Sequence, residues 1–190
     1  MKIFSCFWET GSLRSSAPPG KEKNMEHLTE LVGQAKNGSA HAFALLYKEI
    51  YQDLYRFAFY TLRHPQDAED AVSEAVTDAF SQIRSLKEAA AFKAWMFRIL
   101  TAKCRRKLKQ YVDKTEELEE TIPGKSRDWN EDLDVRQAFF SLSQEERLIL
   151  SLNLFAGYTS QEIGGLLKLP SGTVRSKQSR ALRKMEQQLS

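Results

Sequence analysis

Two stretches carry most of the side chains able to grip a polyanion. Between Arg98 and Lys109 lie Arg98, Lys103, Arg105, Arg106, Lys107 and Lys109 with no acid among them; between Arg175 and Lys184 lie Arg175, Lys177, Arg180, Arg183 and Lys184, again without an acid. An arginine can bind the edge of guanine bidentately, whereas a lysine mainly neutralises phosphate. Just upstream of the first basic set, Phe92, Trp95 and Phe97 are of a type that stacks on unpaired bases; the same residues also suit a core, and both uses are compatible if Trp95 is mostly packed. A third set has the opposite sign. Asp67, Asp70, Glu74 and Asp78 step by three, four and four, which aligns them as an acidic stripe along one helix, suited to a basic partner surface. Basic runs are often no more than a solvated helix face, so charge by itself leaves the first set open between that and nucleic acid.

No arrangement suggests an enzyme. There is no nucleophile paired with a base, no metal-ligand cluster and no glycine-rich phosphate loop, and no catalytic residue, cofactor or metal is expected. His27, His41 and His64 are isolated and read as surface or interface residues. Cys6 and Cys104 have no second ligand at metal spacing, which fits a reduced, cytoplasmic protein. No stretch approaches the roughly 20 apolar residues of a membrane span, and "MKIFSCFW" is too short for a secretory signal.

The chain has 190 residues, 42% of them hydrophobic, and a formal charge of only +3. What matters is segregation: Asp113 to Asp132 holds eight acids against three bases. That stretch lacks apolar periodicity and contains "IPGK", so it reads as a flexible acidic linker over 113–132 between two small all-α domains, 25–112 and 133–190. Residues 1–24 read either as a disordered leader or as a mis-assigned start, since Lys21-Glu22 can be encoded by a ribosome-binding sequence ahead of Met25.

In the first domain, Phe43, Tyr47, Ile50, Leu54, Phe57 and Thr61 give a buried stripe at helical period. Asn37-Gly38 ends the helix before it, and Pro65 opens the helix after it, whose seam is Ala68, Val72, Ala75, Ala79 and Ile83. In the second domain, Ser143 with Glu146 and Thr159 with Glu162 are two capping boxes, with Gly157 placed to end a helix between them. Helices at about 144 to 155 and 160 to 168 are then followed by a last one opening at Pro170-Ser171. A short helix, a tight turn and a second helix led by small and basic groups is a helix-turn-helix, with Ile163, Leu166, Leu167, Val174 and Leu182 as its seam.

"DAEDAVSEAVTDAF", "FKAWMFRIL" and "LSQEERLILSLNLFAGYTSQEIGGLLKLPSGTVRSKQSRALRKM", in that order, closely resemble the extracytoplasmic-function sigma factors of bacteria, members of the sigma-70 family. The resemblance runs from about Leu31 to Leu189 and implies a subunit that directs core RNA polymerase to promoters and assists duplex melting, for a stress or envelope regulon. It implies core-polymerase contact, at the beta-prime clamp coiled coil, through Asp67, Asp70, Ser73, Glu74 and Asp78, and a second contact at the beta flap. The loop from about Arg84 to Ala91 matches the segment that captures a flipped base. Phe92, Trp95, Arg98, Lys103, Arg105, Arg106 and Lys107 match the element that reads and melts the minus-ten region. Pro170, Gly172, Thr173, Arg175, Ser176, Lys177, Ser179 and Arg180 match the part that binds the minus-thirty-five element. An anti-sigma protein is the further partner implied, and no direct membrane insertion. By charge, the acidic linker is suited to mimic single-stranded nucleic acid in the polymerase.

Some residues depart from the family pattern. Ser73 stands at a usual glutamine, Lys168 at a usual glycine, Asn153 where arginine is common, and Gly164-Gly165 is a looser pair than the pattern has. The rival reading is a stand-alone helix-turn-helix regulator binding duplex as a dimer, which accounts for the second domain alone.

Overall fold

The computed structural model describes residues 21–113 and 133–189. The expected leader lies almost wholly outside these residues, and the expected linker and its mimicry lie outside them apart from Asp113. All the regular structure described is helical: α1 (Lys21–Lys36), α2 (Ala40–Leu62), α3 (Pro65–Gln82), short 3-10 turns at Ile83–Ser85 and Ala89–Ala91, α4 (Phe92–Asp113), α5 (Leu133–Phe140), α6 (Gln144–Leu154), α7 (Ser160–Leu167) and α8 (Ser171–Leu189).

The chain's own punctuation sets these boundaries. Gly38 takes a left-handed φ of 95° after α1, and the Ser39 hydroxyl accepts the Ala42 N–H at 3.2 Å to start α2. Before α3 the cap is His64, whose ring Nδ1 accepts the Asp67 N–H at 3.4 Å, with Pro65 in the first turn where its missing N–H costs nothing. Both capping boxes form. Ser143 and Thr159 each accept the N–H three residues on, and Glu146 and Glu162 reach back to the cap N–H at 3.0 and 2.8 Å. Asn153 donates from its amide to the Tyr158 carbonyl at 2.9 Å and so holds the turn carrying Gly157.

In the first half, α1 lays Leu31, Val32 and Ala35 into the common core, and α2, α3 and α4 pack on one another through Leu54, Phe57, Val72, Ala75, Met96 and Leu100. The small seam of α3 (Ala68, Ala71, Val72, Ala75, Ala79) is fully buried and permits close helix approach. The second half of α2 does not follow the one-sided pattern expected of it. Tyr55, Ala58, Phe59, Tyr60 and Leu62 are buried along with Leu54, Phe57 and Thr61, so the helix is covered all round. The cover is the C-terminal half of the chain: Phe139 meets Tyr60 edge-on at 4.8 Å, Phe155 stacks on Tyr60 at 5.4 Å, and Phe140 meets Phe59 at 5.5 Å. The two modules therefore share one hydrophobic core.

In the helix-turn-helix, Lys168 caps α7 in the left-handed region (φ 59°), and Leu169 N–H donates back to the Gly164 carbonyl at 2.9 Å. That bond draws the turn onto α7 so closely that a Cβ on Gly164 would stand 2.6 Å from the Leu169 oxygen. Gly164 thus owes its place to close backbone approach. Gly165 is exposed, with nothing within 4 Å of its would-be Cβ, and no contact explains it. Gly164→Ala should destabilise the chain by about 1–3 kcal/mol through overpacking, whereas Gly165→Ala should stabilise it by about 0.5–1 kcal/mol through helix propensity. Urea unfolding followed by circular dichroism reads both, and the opposite signs are the test.

Candidate nucleic-acid interface

Helix α8 is seated by Val174, Ala181 and Met185 against Ile163 of α7 and the α5–α6 pair. Ser160 and Gln178 add a hydrogen bond at 2.8 Å across the helix-turn-helix. Two lysines of α8 pair with acids of α6. Lys177 pairs with Glu145 at 2.6 Å and keeps only 25% of its side chain exposed, and Lys184 pairs with Glu146 at 2.8 Å. Burial raises the Glu146 pKa, but Lys184 and the Ser143 cap outweigh it and hold the carboxyl below its ordinary value. These pairs tie α8 to α6, and Lys177, expected at phosphate, is engaged with Glu145. The outward face carries Gly172, Arg175, Ser176, Ser179, Arg180 and Arg183, with Pro170 exposed beside it and Thr173 partly covered. Arg180 is steadied by a bond from Nε to the Ser176 carbonyl at 3.3 Å.

Helix α4 separates its aromatic and basic groups in the same way. Phe92 is 2% exposed, wedged between Phe43 and Trp95, and Phe97 is wholly buried edge-on to Phe57 at 5.6 Å. Neither can stack on a base, which corrects the expectation for both; of the three aromatics, Trp95 alone keeps accessible surface. Arg98, Arg105 and Lys109 are exposed and, seven and four residues apart, form one outward stripe. Lys109 joins this stripe although the family match did not include it.

Lys103, Arg106 and Lys107 turn toward α3 instead. Lys103 pairs with Asp78 and reaches Glu74 at 3.7 Å, Arg106 pairs with Glu74, and Lys107 bridges Asp67 at 3.0 Å and Asp70 at 3.6 Å. The Tyr111 hydroxyl donates to Asp67 as well. Burial raises the Asp67 pKa, but Tyr111 and Lys107 more than reverse it and leave the carboxyl below its ordinary value; burial lowers Lys107, but Asp67 and Asp70 carry it above. Tyr111 is pushed up by burial and by Asp67, and burial pushes up the Cys104 thiol beneath it. The expected polymerase acids and three of the five bases expected at the minus-ten region are thus each other's partners. A sequence signal for this does exist: two stripes of opposite sign, both at three-to-four spacing, on consecutive helices that must run antiparallel. Asp70, with 51% of its side chain exposed, and the exposed Ser73 remain open on the outer face of α3, while Glu74 and Asp78 are partly so.

Two helical modules, each presenting an exposed basic stripe, define a DNA-binding protein of transcription. Residues 46–112 match the model of sigma-70 region 2, and residues 138–187 that of sigma-70 region 4. The chain is 30% identical to the RNA polymerase sigma factor SigV of Bacillus subtilis over 142 residues, 73% of this chain and 85% of that one. It is 28% identical to the extracytoplasmic-function sigma factor SigM of Mycobacterium tuberculosis over 155 residues, covering 80% and 79% of the two. Its fold resembles that of the sigma factor RpoE of Bartonella quintana, solved with the anti-sigma factor NepR, at a TM-score of 0.63 and 23% identity over 77% of this chain and 96% of the other. It also resembles CnrH, solved with the cytosolic domain of CnrY, at a TM-score of 0.60 and 20% identity over 86% and 97%. The chain belongs to the sigma-70 family of RNA polymerase sigma factors, in its extracytoplasmic-function group.

The ion pairs between α3 and α4 predict a pH dependence. Because the folded Asp67 carboxyl titrates below its ordinary value near 3.8, its stabilisation is present above that value and lost as pH falls through the folded-state pKa. Asp67→Asn should cost about 1–2 kcal/mol at pH 7, the scale of hydrogen bonds to a charged group. The gap to the parent chain should narrow toward pH 3, as read by urea midpoints at the two pH values.

Proposed function

We propose that the chain is the promoter-specificity subunit of a bacterial RNA polymerase, working through two units, 25–112 and 133–190, joined by 113–132. The outer face of α3, with Asp70, Ser73 and the accessible edges of Asp67, Glu74 and Asp78, docks on the beta-prime clamp coiled coil. The second unit meets the beta flap. Helix α4 addresses the minus-ten region, with Trp95 as the stacking side chain and Arg98, Arg105 and Lys109 following the backbone. Lys103, Arg106 and Lys107 hold α4 at its angle on α3.

In the second unit, Pro170, Gly172 and Thr173 lie at phosphate, where the N-terminus of α8 favours an anion. Arg175, Ser176, Ser179 and Arg180 face base edges of the minus-thirty-five element. An anti-sigma protein is the regulator this reading calls for, and both structural relatives named above were solved with a protein partner. Among the described residues no helix is long and apolar enough to cross a membrane, which accords with work in the cytoplasm beside the polymerase.

The observation that carries this reading is the presence, in one chain, of both family modules with an outward basic stripe on each. A dimeric helix-turn-helix regulator needs only the second. Run-off transcription with reconstituted core polymerase on a genomic fragment library is the test: specific start sites are expected with core enzyme, and no promoter shift by the chain alone. Initiation unchanged by adding the chain would refute the reading. Within it, Arg175→Ala should alter preference among minus-thirty-five variants by about 1–3 kcal/mol. Lys109→Ala should weaken binding alike for all sequences and reduce the salt slope by about one.

A further inference from the structure

Two residues other than glycine hold a left-handed backbone among those described: Arg63 at φ 66° and Lys168 at φ 59°. A side chain at such a φ crowds its own backbone, and the conformation persists only where something demands it. Arg63 gains a contact in return, since its guanidinium stands over the Phe140 ring at 5.6 Å. Lys168 gains nothing inside the fold. It caps α7 with its N–H on the Gly164 carbonyl, a bond that glycine would make with less strain. Its side chain is exposed and makes no ion pair or hydrogen bond among the described residues. The one acid of α7, Glu162, is held back at the Thr159 cap, at 2.7 Å from the hydroxyl, and leaves this cation unneutralised.

Three residues earlier, Gly165 is out of place in a complementary way. It lies in the interior of α7, exposed, with nothing within 4 Å of a would-be Cβ, where alanine would suit the helix better. Residues three apart are neighbours on a helix surface, so a backbone open to close approach adjoins a cation with no partner. The turn then pins this pair beside α8. Leu169 N–H donates to the Gly164 carbonyl at 2.9 Å, and Val174 N–H donates to the Pro170 carbonyl at 3.1 Å. Lys168 stands three residues ahead of Ser171, within about 11 Å along the chain of the helix that carries Arg175, Ser179 and Arg180 outward.

We propose that Lys168 is a duplex-backbone contact: its ammonium neutralises a phosphate of the strand bordering the groove that α8 enters, and Gly165 leaves that strand room to pass over α7. Lysine acts there as a point charge and adds affinity without sequence preference. The strained cap is then kept for what it does outside the fold. The inference rests on the reading of α8 as a duplex-binding helix and is independent of polymerase.

Glycine and asparagine both suit a left-handed cap, so Lys168→Gly and Lys168→Asn remove the charge without harming the fold, and Lys168→Gly should raise the urea midpoint. The full chain, without core enzyme, is titrated onto a fluorescein-labelled random-sequence duplex between about 50 and 200 mM salt, where phosphate contacts are read from the slope of log K against log salt. Both variants should bind roughly five- to tenfold more weakly at mid-range and lose about 0.9 from that slope, the share of one phosphate. Lys168→Arg should keep the slope. Gly165→Ala should weaken binding at an unchanged slope, since a methyl obstructs approach without removing charge, and equal affinity would overturn the path over α7. An unchanged slope in Lys168→Gly and Lys168→Asn would overturn the phosphate contact, even if promoter complexes of the holoenzyme weakened, because that pattern sets the lysine against protein. A parent chain with no measurable affinity for the duplex at the lowest salt would overturn it too. Run-off transcription with core enzyme is scored separately: a parent that binds duplex but starts no transcripts sinks the sigma-factor reading, while the slope still decides Lys168.

Discussion

Burial of the second half of α2 on all sides is the constraint from which the remaining architecture follows. Its first half needs cover on one side only, supplied by α1, α3 and α4, and leaves Leu45, Tyr51 and Gln52 exposed. From Leu54 to Leu62 the sequence is almost continuously apolar or aromatic, and a helix of that kind is stable in water only if something encloses it. The C-terminal helices do so, and this sets where the helix-turn-helix stands relative to α4. The position of the second basic surface is thus a by-product of how α2 is satisfied.

Charge organises what hydrophobic burial leaves free. On both basic helices the side chains divide by direction: some pair with acids of the neighbouring helix and fix an angle, and the others point outward and remain available. Exposed ion pairs contribute only about 0–1 kcal/mol each, so these contacts orient more than they stabilise. They also lower the outward charge without lowering the formal one. What is left is two narrow stripes in place of two broad patches, a geometry better suited to following one groove than to holding any polyanion.

Local punctuation and helical period were legible in the sequence almost in full. The capping boxes at Ser143 and Thr159, the turns at Gly38 and Gly157 and the start at Pro65 all follow from side-chain chemistry within four residues. Long-range partnerships were not. Phe92 and Phe97 read as candidates for stacking because their position beside bases is visible in the sequence, while the rings of Phe43 and Phe57 that enclose them lie on another helix. Lys177 and Lys107 read as free cations for the same reason, since Glu145 and Asp67 are 32 and 40 residues away. The cap at His64 was missed because histidine is an uncommon choice there, and its ring nitrogen does what a hydroxyl or carboxylate usually does. The shared core had one available sign, the loss of one-sidedness after Leu54, which a reading built on a single stripe passes over.

Cys104 lies beneath the Asp67–Tyr111 contact with no accessible surface and a thiol pushed well above its ordinary range. A thiol so placed is almost never a thiolate, and it is the thiolate that attacks peroxides and disulfides. Among the described residues, the folded helices therefore offer oxidants no reactive thiolate. A redox signal to these helices has to arrive by another route than their own thiol chemistry.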